Sequence, residues 1–129
     1  MMIQDSPDTA PSKHRRSYNV AYASAFSSPG VGGRNRNTYR LGACLVHRNI
    51  IVASGMNSYK THRLTAQYGK YPYLHAEQAT IFRRGLDNCG GASLYIVRVR
   101  RDGHIGTSKP CSSCRQVIKD ARIKEVYHT

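Results

Sequence analysis

Two short clusters, "HAE" at residues 75–77 and "PCSSC" at 110–114, flank the clearest strand pattern in the chain, "ASLYIVRVR" at 92–100. That strand is dense in β-branched and aromatic residues, which suit a pleated, buried surface. Each cluster opens a run with helical periodicity, from His75 to about Arg84 and from Cys111 to about Ala121. A last strand, "IKEVYH" at 123–128, closes the chain. The second half therefore reads as strand, helix, strand, helix, strand, an order that argues for parallel strands with helices on the faces.

The first half completes this pattern. Residues 41–57, "LGACLVHRNIIVASGMN", predict a hairpin turning near Arg48-Asn49. A helix is expected from about Ser12 to Phe26, where small and apolar residues recur at helical spacing behind a capping serine. Residues 1–12 are polar and proline-bearing and read as a mobile tail, leaving 13–129 as a single domain. Residues 27–40 are glycine-rich, basic and loop-like, and 58–73 form a long connection of the kind that is often functional.

A chain of 129 residues supports one core. Twenty Lys and Arg against seven Asp and Glu leave a net charge of +13, a field that attracts phosphates. No apolar stretch approaches the ~18 residues of a spanning helix, and the N-terminal segment lacks the apolar core of a secretory signal. The expectation is a soluble, cytoplasmic protein without a membrane partner. In a reducing compartment a Cys-x-x-Cys pair binds metal or does redox work more often than it forms a structural disulfide.

The chemistry of the two clusters favours metal. Cys111 and Cys114 lie at i and i+3 on the first turn of a helix, so their thiols point the same way. The helix N-terminus favours their thiolate forms, the state that binds zinc. With His75 they make three protein ligands, and a catalytic zinc site keeps its fourth position for water. Glu77 then stands beside that water without being a ligand, placed to carry protons. Taken singly, each residue has an ordinary alternative: a helix-start histidine, a first-turn carboxylate complementing the helix dipole, or a redox cysteine pair.

The paired motif, His-Ala-Glu at 75–77 with Pro-Cys-Ser-Ser-Cys at 110–114, resembles the zinc-dependent cytidine deaminase superfamily, whose signature is H-x-E followed by P-C-x-x-C. The likeness runs from about residue 41 to the end of the chain and takes in "GACLV", Asn57, "CRQVI" at 114–118 and "ARIKEVYH". It implies a three-layer α/β/α fold around a mixed sheet of four to five strands. It implies Zn²⁺ on His75, Cys111 and Cys114, with Glu77 as the catalytic acid–base. It further implies that Asn57 holds the sugar of the substrate and that the chain forms a homo-oligomer; Ala76 and Lys60 are expected in the substrate site as well.

Two features depart from the superfamily. No acid follows Asn57 in "NSYKTH", where tetrameric cytidine deaminases place a sugar-gripping glutamate, and the cations there suit a phosphorylated substrate. The chain also ends where larger members continue with a further helix and strand. Phosphate contacts are expected from Lys60, Arg34, Arg36 and Arg40, and a base-stacking ring from Tyr68, Tyr71 or Tyr73. Cys44 reads as a buried small hydrophobe, and Cys89 as structural, with an accessory metal as its alternative.

Three functions fit these residues. The first is deamination of cytosine in a free pyrimidine nucleotide or nucleoside. The second is deamination of cytosine or adenine in single-stranded DNA or RNA, suggested by basic loops with interleaved tyrosines. The third is a non-catalytic zinc-binding nucleic-acid module, which has no use for Glu77.

Overall fold

The structure is a computed structural model that describes residues 2–31, 39–60, 62–68 and 73–129. Arg34, Arg36 and Tyr71 lie outside the described residues. The elements are β1 (Met2–Gln4), α1 (Ser12–Ser27), β2 (Arg40–His47), β3 (Ile50–Met56), α2 (Ala76–Arg84), β4 (Ser93–Val99), β5 (Ile105–Gly106), α3 (Ser112–Asp120) and β6 (Glu125–His128). Short 3₁₀ turns occur at Thr65–Gln67 and Leu86–Asn88.

The strands form one mixed sheet in the order β1-β6-β4-β2-β3. β4 runs parallel to β6, and β2 runs antiparallel to both β3 and β4. β6 pairs with β4 as far as Ile96, and β5 takes up Arg98 and Val99 beyond it. The hairpin turns where expected, with Arg48 at φ 52° and Asn49 at φ 65°, the left-handed pair that a two-residue hairpin loop needs.

Side chains alternate across the sheet and divide the core in two. Ala43, Leu45, Leu94, Ile96 and Val126 meet Ile81 and Phe82 of α2 and Val117 and Ile118 of α3. Cys44, Tyr95, Val97, Val99 and Tyr127 meet Tyr18, Ala21 and Ala25 of α1 on the other face. The three layers are thus α1, the sheet, and the α2–α3 pair. The small residues of α1 let it rest directly on β2. A Cβ added at Gly42 would stand 2.1 Å from Ala21 O and 2.3 Å from Ala25 N.

The sheet exceeds the expected four to five strands because of β1 and β5. Residues 2–4, read from sequence as part of a mobile tail, pair in parallel with β6 through Met2↔Val126, Ile3↔Tyr127 and Gln4↔His128. The physical reason is the open edge of β6, whose backbone groups need partners, together with Ile3, which packs onto the α1-side core. Among the described residues no helix is long and apolar enough to cross a membrane.

Candidate metal centre and adjoining cavity

α2 and α3 bring their N-termini together. His75 is the N-cap of α2, in extended backbone, and Cys111 is the N-cap of α3, its sulfur accepting from the Cys114 N–H at 3.5 Å. The His75 Nδ1 lies 3.7 Å from Cys111 Sγ and 3.2 Å from Cys114 Sγ. The three ligand atoms fall within 4.8 Å of one another, the one such group among the described residues. Two soft sulfurs and an imidazole nitrogen are a zinc donor set, three in number, as in sites that leave one position open.

Electrostatics support the same reading. Cys111 is driven well below the usual thiol range by its hydrogen bond with Cys114 and by the neighbouring imidazole. Cys114 holds its proton more tightly, because Cys111 beside it and its own burial disfavour a second anion. A divalent cation would relieve that conflict between adjacent thiols. The two helix N-termini add positive potential from the same side.

Around the ligands the packing is polar but organised. The Tyr73 ring stacks on the His75 ring, centroids 5.2 Å apart. Gln78 is fully buried, and its Nε2 donates to Ser113 Oγ at 3.4 Å and approaches Cys114 Sγ at 4.0 Å. Ser113 in turn donates to the carbonyl of Tyr68, fastening the preceding connection to α3. Neither Gln78 nor Ser113 stands out in the sequence, since their roles depend on helices meeting in space.

A cavity of about 240 Å³ opens beside these ligands. It is lined by His75, Ala76, Glu77 and Cys111 together with Tyr39, Leu41, Asn57, Tyr73, Arg98, Thr107, Ser108 and Lys109. Glu77 is 3 % exposed, and burial raises the pKa of its carboxyl above the ordinary range. A carboxyl of that kind exchanges protons nearer neutrality than a surface glutamate does.

The expected substrate residues divide. Asn57 and Ala76 line the cavity, whereas Lys60 is exposed and is not among the lining residues. Arg40 is also turned elsewhere, its guanidinium over the Phe26 ring at 5.1 Å and donating to Arg100 O at 2.9 Å. Among the described residues, the Lys and Arg side chains that line the cavity are those of Arg98 and Lys109. Arg98 stacks on Tyr39 with Cζ 4.6 Å from the ring centre, and its Nε is buried without a hydrogen-bond partner among the described residues. A signal for Arg98 was present in the sequence, because a charge inside the apolar run "LYIVRV" needs a partner that its own strand does not supply.

Of the tyrosines, Tyr73 reaches the cavity, while Tyr68 donates to Asp120 at 2.8 Å and packs by Phe82. Cys44 is a buried core residue. Cys89 is buried too, its thiol donating to Gly85 O at 3.2 Å.

Comparison with known proteins agrees with this geometry. Residues 13–129 match the family model for the cytidine and deoxycytidylate deaminase zinc-binding region. No curated protein sequence matches the chain. The fold is similar to a crystal structure of dCMP deaminase from the cyanophage S-TIM5 in apo form, with TM-score 0.63 at 20% identity over 92% of this chain and 84% of that one. It is similar also to the same enzyme in complex with dCMP and dUMP, with TM-score 0.57 at 20% identity over 92% of this chain and 82% of that one. The chain belongs to the zinc-binding cytidine and deoxycytidylate deaminase family.

Proposed function

We propose that the protein catalyses hydrolytic deamination of the cytosine base of a free pyrimidine nucleotide or nucleoside, water and cytosine giving uracil and ammonia. The observation that carries this reading is Glu77, a buried carboxyl lining the same cavity as the His75–Cys111–Cys114 donor set.

His75, Cys111 and Cys114 would hold the zinc ion, which when bound supplies Lewis-acid activation of water. Glu77 would act as the proton carrier, its carboxyl taking a proton from the attacking water and giving protons to the ring nitrogen and the departing amine. Its burial excludes bulk water from competing for those protons. Tyr73 supplies an aromatic wall for the base, and Asn57 reaches the sugar. Arg98 and Lys109 offset the charge of a phosphate. A free nucleotide is favoured by their place inside the cavity and by the dCMP and dUMP held in the S-TIM5 enzyme.

One observation favours a second reading, deamination within single-stranded nucleic acid: the net charge of +13, which exceeds what a mononucleotide requires. The test is to incubate the zinc-loaded protein with cytidine, dCMP, dCTP and a single-stranded oligonucleotide and to quantify uracil products. Turnover of the mononucleotides is the expected result. Turnover confined to the oligonucleotide would transfer the assignment to the second reading.

A further inference from the structure

A second cavity, of about 590 Å³, lies between the first turns of α1 and the sheet. Lys13, Arg16, Arg48, Tyr95, Glu125 and Tyr127 are among the residues that line it. Ser93 of β4 also lines it, whereas Arg98 of the same strand lines the cavity beside the metal ligands. At about 3.3 Å per residue, those two positions stand roughly 16 Å apart. Tyr95 and Tyr127 moreover belong to the core on the α1 face of the sheet, and the metal ligands stand at the starts of α2 and α3 on the other. The two cavities are separate places on the molecule.

The charges around this cavity do not balance. Lys13 and Arg16 stand three residues apart on α1, so their side chains leave the same face of the helix. Arg48 comes from the hairpin turn, whose left-handed backbone at Arg48 and Asn49 makes a tight two-residue loop. Among the described residues none of these three cations forms an ion pair or a side-chain hydrogen bond. Glu125 is the one described carboxylate that lines the cavity, and it accepts a hydrogen bond from the Tyr127 hydroxyl. Like charges gathered at one place repel unless an anion lies between them. The start of α1 adds to the excess: its N-cap is Pro11, no side chain caps it, and no acidic residue stands in its first turn. The positive end of the helix dipole is thus uncompensated.

We infer that this cavity is a binding site for a diphosphate group, held by Lys13 and Arg16 from α1 and by Arg48 from the hairpin turn. With the half-charge at the start of α1, the three cations exceed Glu125 by about 2.5 charges, more than the ~1.5–2 that a single phosphate carries at neutral pH. Two linked phosphates supply the difference. Whatever the diphosphate is attached to goes unrecognised. Tyr95 and Tyr127 are buried and stack on each other with centroids 4.7 Å apart. The His14 ring lies 4.4 Å from that of Tyr127, and its Nδ1 is 2.5 Å from the Tyr95 hydroxyl. No open ring face is left there for a base.

The experiment titrates zinc-loaded protein with inorganic pyrophosphate, inorganic phosphate and ADP, by calorimetry and by NMR of the backbone amides. Pyrophosphate is expected to bind at least about tenfold more tightly than phosphate, the value of one further charge-assisted contact. The amides of Asn49, Gly91 and Ser93, which line the cavity, should move with it. ADP should match pyrophosphate within about threefold at those same amides, since it adds a base and a sugar but no recognised group. Lys13→Ala and Arg48→Ala should each weaken pyrophosphate about tenfold, and Arg98→Ala should leave it unchanged. Glu125→Gln should tighten it about two- to fivefold by removing a like charge, which a purely structural glutamate would not do. Pyrophosphate that binds no more tightly than phosphate would overturn the inference. So would shifts confined to Thr107, Ser108 and Lys109, which would give the anion to the cavity beside the metal ligands. Equal losses in every Lys and Arg variant, Arg98→Ala included, would reduce the site to the diffuse field of the whole protein. ADP more than about tenfold tighter than pyrophosphate would overturn recognition by the diphosphate alone.

Discussion

Glu77→Gln separates proton transfer from everything else the site does. The glutamine keeps the volume of a side chain that is 3 % exposed, so neither cavity nor overpacking enters the comparison. It removes none of the three metal ligands and leaves α2 without one first-turn charge, a change of about 0.3–1 kcal/mol at most. Because the carboxyl already has a raised pKa through burial, the neutral amide is easily accommodated and the melting temperature should hold or rise slightly. Loss of a positioned acid–base typically costs ~10²–10⁴ in rate, about 3–5 kcal/mol of activation free energy. The loss here should reach the upper part of that range, since one carboxyl serves several proton transfers in each turnover. The assay is the absorbance change as cytosine becomes uracil, with zinc content and binding of dUMP measured on the same preparation. Zinc and dUMP affinity should match the parent. Deamination within a few-fold of the parent would mean that another residue carries the proton.

Other perturbations test the metal, the anion site and the packing. Cys111→Ser should lose its zinc by elemental analysis and lower the melting temperature, because metal binding feeds into folding free energy; full zinc retention would contradict the ligand assignment. Arg98→Ala should raise KM for dCMP about tenfold and leave cytidine nearly unchanged, as expected for a charge-assisted contact to phosphate, with Lys60→Ala close to the parent on both. Equal losses on the two substrates would make Arg98 a structural residue. Gly42→Ala should cost about 3 kcal/mol or more in denaturant unfolding, because its Cβ would meet α1 backbone at 2.1 Å. Gly90→Ala, where nothing lies within 4 Å, serves as the neutral control.

What was readable from sequence was what local pattern determines. The strand at 93–99, the helix starts at Ala76 and Ser112 and the turn at Arg48-Asn49 follow from periodicity and turn chemistry. The metal centre was equally readable, because its residue types are rare in combination and each half sits at a helix start. Contacts between distant segments were not. Three residues of β1 form a strand only because β6 offers an edge, and nothing local in Met2–Gln4 records that edge. Phosphate contacts are expected from sequence at Lys60, Arg34, Arg36 and Arg40, whereas the cations that line the cavity among the described residues, Arg98 and Lys109, lie on β4 and just before α3 and meet Asn57 only in space. Asn57 itself was expected as a sugar ligand, but its bonds to Ser28, Tyr39 and Leu41 depend on three chain segments meeting.

The most direct test of the zinc-dependent chemistry is ammonia release from dCMP by one preparation in three states: as purified, stripped by chelator, and reconstituted with zinc. The expected result is loss of activity on stripping and recovery that rises linearly to one zinc per chain, in keeping with the single three-ligand group among the described residues. Stripped protein as active as the reconstituted form, or fully zinc-loaded protein that releases no ammonia, would contradict it.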